Sequence, residues 1–187
     1  MVVKKADNIL NKITEKLKNN GIVIIPCDTI YGFVCSTPEA EERIGLIKGR
    51  EDNKPFIKLI SSPNKLSEIS NDKIDNRILS LWPGPLTLIV NSLTGGTIAL
   101  RVPEDDFLIK ILNIVNVPVV STSVNRSGMP PLNKINEIIS NFENSVDLIV
   151  DGGDLENSVP STILDVTKHP YKIIRQGKCI IPTDYLE

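Results

Sequence analysis

The sequence has little cysteine, little histidine and few aromatic residues, and each shortage removes a class of protein. Its three cysteines, Cys27, Cys35 and Cys179, stand far apart with no CxxC pair. An odd, scattered set argues against a disulfide framework and a zinc site, and suits a reducing compartment. The one histidine, His169, precedes Pro170 in a predicted turn, so a Ser/His/Asp hydrolase or a histidine-based metal cluster does not fit. No GxGxxG follows the first predicted strand and no GxxxxGK[ST] occurs, which removes the dinucleotide fingerprint and the Walker A loop. No apolar run reaches the roughly 18 residues of a membrane span. The N-terminal MVVKKADNIL lacks the apolar stretch of a signal peptide. A cytoplasmic protein without a membrane segment is predicted. Net charge is -2, so the molecule as a whole offers no electrostatic footprint for nucleic acid.

What is present describes an ordinary globular chain. Of 187 residues, 41% are apolar and 24% charged, which excludes collagen-like and disordered classes. At about 100 to 200 residues per domain, one domain spanning 1–187 is expected.

Periodicity sets the fold class. Val3, Ala6, Ile9, Leu10, Ile13 and Leu17 recur at helical spacing over residues 3–20, and Gly21 is expected to stop that helix. GIVIIP, a continuous β-branched run, reads as a strand covered on both faces. Thr37, Pro38 and the acidic residues that follow read as a helix start, with the helix running to Lys48 and Gly49 breaking it. FIKLI, LTLIV, TIALRV, VPVVST, VDLIVD, STILDV and YKIIRQG read as strands, with DFLIKILNIV and KINEIISNF as helices. LTLIV and TIALRV flank Gly95-Gly96, a hairpin signal, so the sheet is predicted to be mixed. An α/β domain follows, with a twisted, mixed sheet flanked by helices.

Polar residues gather in three segments at the ends of predicted elements, where open α/β sheets build their sites. Pro26 to Gly32, PCDTIYG, also reads as a plain turn held by Asp28. Lys48 to Pro55 places Lys48, Arg50 and Lys54 close together; the segment reads either as a solvated loop or as a polyphosphate site, arginine gripping oxyanions in two places at once. Ser121 to Gly128 lines up hydroxyls and an amide after a buried strand, suited to phosphate or carboxylate oxygens. Ser161-Thr162 and Arg175 are lesser candidates. What remains after the exclusions is a site of cations, hydroxyls and amides able to bring anions together.

PCDTIYGF, KGREDNKP, WPGPLTLIV, ALRVP, STSVNRSG, PSTILDV and RQG, in this order, resemble the YrdC-like threonylcarbamoyl-AMP synthases from about Gly21 to Gly177. The resemblance implies a sheet around a large concave cleft, and a reaction of L-threonine, bicarbonate and ATP that yields threonylcarbamoyl-AMP and pyrophosphate. It implies that Lys48, Arg50 and Lys54 handle phosphates and the reacting carboxylates, with Lys48 and Arg50 as the catalytic pair. Ser123, Asn125 and Arg175 fall on the ATP side. Arg101, Ser121 and Ser161 line the threonine pocket, Thr29 and Tyr31 form the wall between the ligands on the threonine side, and Cys27 belongs to the threonine-binding set. Cys27 stands where threonine is usual, and Phe56, where leucine is common, reads as a packing change.

The resemblance further implies Mg2+ carried on ATP rather than on protein ligands, and a separate tRNA-modifying transferase complex as partner. Direct tRNA binding is expected to be weak or absent. Two alternatives stay open from sequence: an RNA-binding module of the same fold, and a carbamoyl-adenylate enzyme with another acceptor.

Overall fold

The computed structural model describes residues 1–50, 55–155 and 158–187. Among the described residues, ten strands, numbered in chain order, form one sheet in the order β1-β8-β2-β3-β7-β4-β6-β5-β9-β10. They are β1 (Val2–Lys4), β2 (Val23–Pro26), β3 (Tyr31–Cys35), β4 (Ile57–Leu59), β5 (Leu86–Asn91), β6 (Thr97–Arg101), β7 (Val119–Ser123), β8 (Leu148–Asp151), β9 (Thr162–Asp165) and β10 (Lys172–Arg175). The helices are α1 (Leu10–Lys18), α2 (Pro38–Lys48), α3 (Asn76–Leu79), α4 (Asp106–Val115) and α5 (Ile135–Phe142). β2 runs parallel to β8 and antiparallel to β3, and β5 pairs antiparallel with β6; the sheet is mixed, as the hairpin signal requires.

Alternation along the central strands explains the two layers of helix. Val23 and Ile25 of β2 and Leu148 and Val150 of β8 pack with α1 and α4 on one face. Ile24 and Ile149 pack with α2 and α5 on the other. Side chains two apart share a face of a strand, so a strand buried on both sides must be apolar throughout. A third cluster joins β5, β6 and β9 to Ile78 and Trp82. Among the described residues, no helix is long and apolar enough to cross a membrane.

Two local expectations change. Residues 3–20 are not one helix: Val2–Lys4 add a strand beside β8, and the helix starts at Leu10. Its left-handed terminal residue is Asn20 at φ 58, while Gly21 donates its N–H to Lys16 O at 2.8 Å. Gly21 is therefore one position further on, where a Cβ would meet Lys16 O at 2.6 Å. The second change is β3, Tyr31–Cys35, whose first two residues the sequence hides in the polar segment 26–32.

α2 matches its expectation at both ends. Thr37 caps the Ala40 N–H, Pro38 opens the helix, and Gly49 turns left-handed at φ 61. Arg50 N then donates to Gly45 O at 3.0 Å, closing a Schellman motif. The backbone of Arg50 is thus fixed by helix termination.

Candidate active site

A cavity of about 340 Å3 lies on the sheet face that α1 and α4 cover, past their ends, for Cys27 and Leu59 belong both to that core and to its wall. Strand register builds its floor. Gly32 faces Ser123 across β3 and β7, and Ser121 faces Ile57 across β7 and β4. Gly32, having no side chain, leaves the floor open: a Cβ there would lie 3.0 Å from Ser121 Oγ and 3.4 Å from Cys27 Sγ.

Three guanidinium groups enter this hollow from separate elements. Arg50 comes from the turn after α2, Arg101 from the end of β6, and Arg175 from the end of β10. Against them the described lining residues set one carboxylate, Asp28. Among the described lining residues the balance is three cations to one anion, in a chain whose net charge is -2. Positive charge gathered in a hollow of this kind attracts anions.

Each arginine is held in place. Arg101 donates from Nε to Gly84 O at 3.0 Å, from Nη1 to Thr29 Oγ1 at 3.0 Å and from Nη2 to Asp28 Oδ2. Asp28 Oδ2 also accepts the Glu104 N–H at 3.1 Å, while its Oδ1 is buried without a partner among the described residues. Arg175 donates to Ser161 O from Nε at 3.2 Å and from Nη2 at 2.7 Å. Burial, and then the charge of Arg101, lower its pKa. The guanidinium of Arg50 lies 4.6 Å over the ring of Phe56. Phe56 is therefore more than a packing change: it lines the cavity and supplies the aromatic face that Arg50 covers.

The structure brings most of the sequence candidates together. Cys27, Thr29, Arg50, Arg101, Ser121, Ser123, Ser161 and Arg175 all line the one cavity. Burial pushes the Cys27 thiol up to about 12, so it is neutral. Lys54 lies outside the described residues.

Three candidates stand behind the wall rather than on it. Tyr31 is fully buried, its hydroxyl donating to Gly153 O at 2.7 Å and accepting from Gly152 N at 3.0 Å. It pins the 152–153 turn instead of separating two ligands, because β3 turns its ring into the α2 and α5 core. Lys48 is 6% exposed. Its ammonium donates to Ser123 O at 2.6 Å, Asn125 O at 3.1 Å and Asn125 Oδ1 at 2.7 Å. All three ammonium donors are spent on Ser123, at the end of β7, and on Asn125 just past it. Asn125 Oδ1 also accepts from Ser123 Oγ at 2.6 Å, so Lys48 and Asn125 fix the segment that presents Ser123.

Sequence reasoning passed over Asp28 as a site residue, reading it as a turn former. Its position beside Thr29 in a polar segment was the available signal, and only the pairing of β6 into the sheet brings Arg101 to it.

Comparison with known proteins bears on this arrangement. A family model described as "Telomere recombination", covering Sua5, YciO and YrdC, matches residues 15–177. The chain belongs to the Sua5/YciO/YrdC family. Within that family, the threonylcarbamoyl-AMP synthase of Pyrococcus abyssi is 29% identical over 86% of this chain, which spans only 52% of that protein's length. A putative threonylcarbamoyl-AMP synthase of Methanocaldococcus jannaschii is 31% identical over 95% of this chain and 89% of its own. The crystal structure of P. abyssi Sua5 complexed with L-threonine superposes with a TM-score of 0.84 at 25% identity, covering 95% of this chain and 56% of that one. The sheet that brings the three arginines of this chain to one place thus has a fold that this relative shares.

Proposed function

We propose that this chain makes threonylcarbamoyl-AMP and pyrophosphate from L-threonine, bicarbonate and ATP. The observation that carries the reading is the convergence of Arg50, Arg101 and Arg175 on one hydroxyl-lined cavity. The names of the relatives support it.

The threonine amine takes up bicarbonate carbon with loss of water, forming a carbamate. A carbamate oxygen then attacks the α-phosphorus, and the bond to the β-phosphate breaks as pyrophosphate leaves. Nucleophile and electrophile are both anionic, so in water they repel. A charge pair about 4 Å apart is worth roughly 4 kcal/mol at an effective dielectric near 20, and three fixed guanidinium groups turn the repulsion into attraction. In this reading Arg50, Arg175 and Ser123 hold the phosphates. Arg101, Ser121, Ser161, Thr29 and Cys27 hold the amino acid. Lys48 and Asn125 act through Ser123 as positioning residues. The carbamate oxygen is already a nucleophile, so positioning and charge stabilisation supply the rate.

Mg2+ enters with ATP as part of the substrate. Among the described residues no group of three His, Cys, Asp or Glu side chains could hold a metal ion, and Oδ2 of Asp28 is committed to Arg101 and Glu104 N. That donor set fits an ion bound through phosphate oxygens and water. The product passes to a separate transferase that modifies tRNA, and with a net charge of -2 the tRNA contact falls to that partner.

Mass spectrometry of a mixture holding ATP, L-threonine and carbon-13 bicarbonate tests the reading. Labelled threonylcarbamoyl-AMP and pyrophosphate in equal amounts are expected. Pyrophosphate release that ignores threonine, or an adenylate without the label, overturns it.

A further inference from the structure

Behind the cavity wall, one hydroxyl stands alone in an apolar strand. Thr87 lies in β5 between Leu86 and Leu88, wholly buried, and does not line the cavity. Its Oγ1 is 2.9 Å from Ser161 Oγ, and Ser161 is 3% exposed and does line the cavity. The pairing of β5 with β9, Leu86 opposite Thr162, brings the two hydroxyls together. Arg175 Nη2 reaches the same Ser161 oxygen at 3.4 Å.

Proton counting fixes the direction of these bonds. A guanidinium only donates, so Ser161 Oγ accepts from Arg175. Were Ser161 to donate to Thr87, the Thr87 proton would have no acceptor among the described residues, and a buried unpaired donor is costly. Thr87, with no route to solvent or ligand, therefore donates to Ser161. Both lone pairs of Ser161 Oγ are then taken, by Thr87 and by Arg175. Its own O–H is the one capacity left, and it is left for the cavity.

We infer that Thr87 is a positioning residue that makes Ser161 a donor only, so that this corner of the cavity accepts a carboxylate and turns away an ammonium. The inference rests on the proposed reaction and deepens it: the amino acid enters with its carboxylate at Ser161 and Arg101, and its amine directed away, toward the carbon it must capture.

The test uses the full chain with Thr87→Val, which keeps the shape, and Thr87→Ser, which keeps the hydroxyl. Thr87→Ala is carried alongside in case valine does not fold. KM for L-threonine is expected to rise about 5-fold in Thr87→Val with KM for ATP within twofold of the parent, as for loss of one ligand-directed hydrogen bond. Thr87→Ser restores the parent value. In a Ser161→Ala background Thr87→Val adds nothing further, because the effect travels through Ser161. Calorimetric titration with L-threonine alone gives the same order of affinities without turnover. Equal changes in both KM values, no rescue by serine, or additivity with Ser161→Ala overturns the inference and leaves the proposed reaction standing. A parent protein that neither binds L-threonine nor makes the adenylate overturns both.

Discussion

The Asp28 carboxylate meets the Arg101 guanidinium with both side chains almost out of solvent, 10% and 6% exposed respectively. A pair this dry is held by geometry as much as by charge, since removing one partner leaves the other unsolvated. Asp28→Asn should cost about 3 to 5 kcal/mol of stability, read as a lower denaturant midpoint with an unchanged m-value. The described lining then holds three arginines and no carboxylate. Added pyrophosphate should therefore raise the melting temperature of the variant more than that of the parent. Equal shifts would mean that Asp28 does not balance the cavity's charge.

Arg50 offers the clearest test of anion handling. Its backbone is fixed by the end of α2 and its side chain lies over Phe56, so truncation removes a preset cation and little of the core. Arg50→Ala should lower product formation about 100-fold or more, with thermal stability close to the parent. Near-parental rates would contradict the assignment.

Lys48 gives a pH dependence with a definite sign. Burial, and then the nearby Arg50 charge, lower its pKa from 10.5 to about 8. The ammonium that binds Ser123 and Asn125 is present below pH 8 and lost as pH rises through it. ATP affinity should thus fall across pH 8 in the parent, and should be weaker but flat there in Lys48→Met. Stability runs the other way. Between pH 8 and 10.5 the unfolded chain binds the proton and the folded one does not, so this group makes folding more favourable as pH rises. An alkaline limb that persists in Lys48→Met would assign the titration elsewhere.

Cys27 tests the amino-acid side of the cavity. Its neutral thiol is a weak donor, 3.6 Å from Ile25 O, where a hydroxyl would donate more strongly. Cys27→Thr should keep turnover within about twofold and raise the preference for threonine over serine, measured as a ratio of kcat/KM values. Loss of activity in competition assays would count against placing Cys27 beside the amino acid.

Sequence pattern alone determined most of the elements, though not β1, β3 or α3, and the kind of chemistry. The caps of α2, the span of α4 and the hairpin at Gly95-Gly96 are local features, set by propensity, capping and turn geometry within a few residues. The surplus of arginine, serine and threonine at strand ends, with no histidine or cysteine cluster beside them, was legible as an anion site for the same reason: it is composition at known positions. Tertiary structure decided which of those residues share a wall. Tyr31 and Lys48 sit in promising motifs, yet pleat direction and helix phase turn them inward, while Asp28, Phe56 and Thr87 gain their roles from strands distant in sequence. Arg50, Arg101 and Arg175 occupy three separate stretches of chain, and their meeting depends on a strand order that pairs β4 with β6 and β5 with β9. Sheet register is a long-range property, fixed by the burial of whole faces at once, and no local spacing along the chain encodes it.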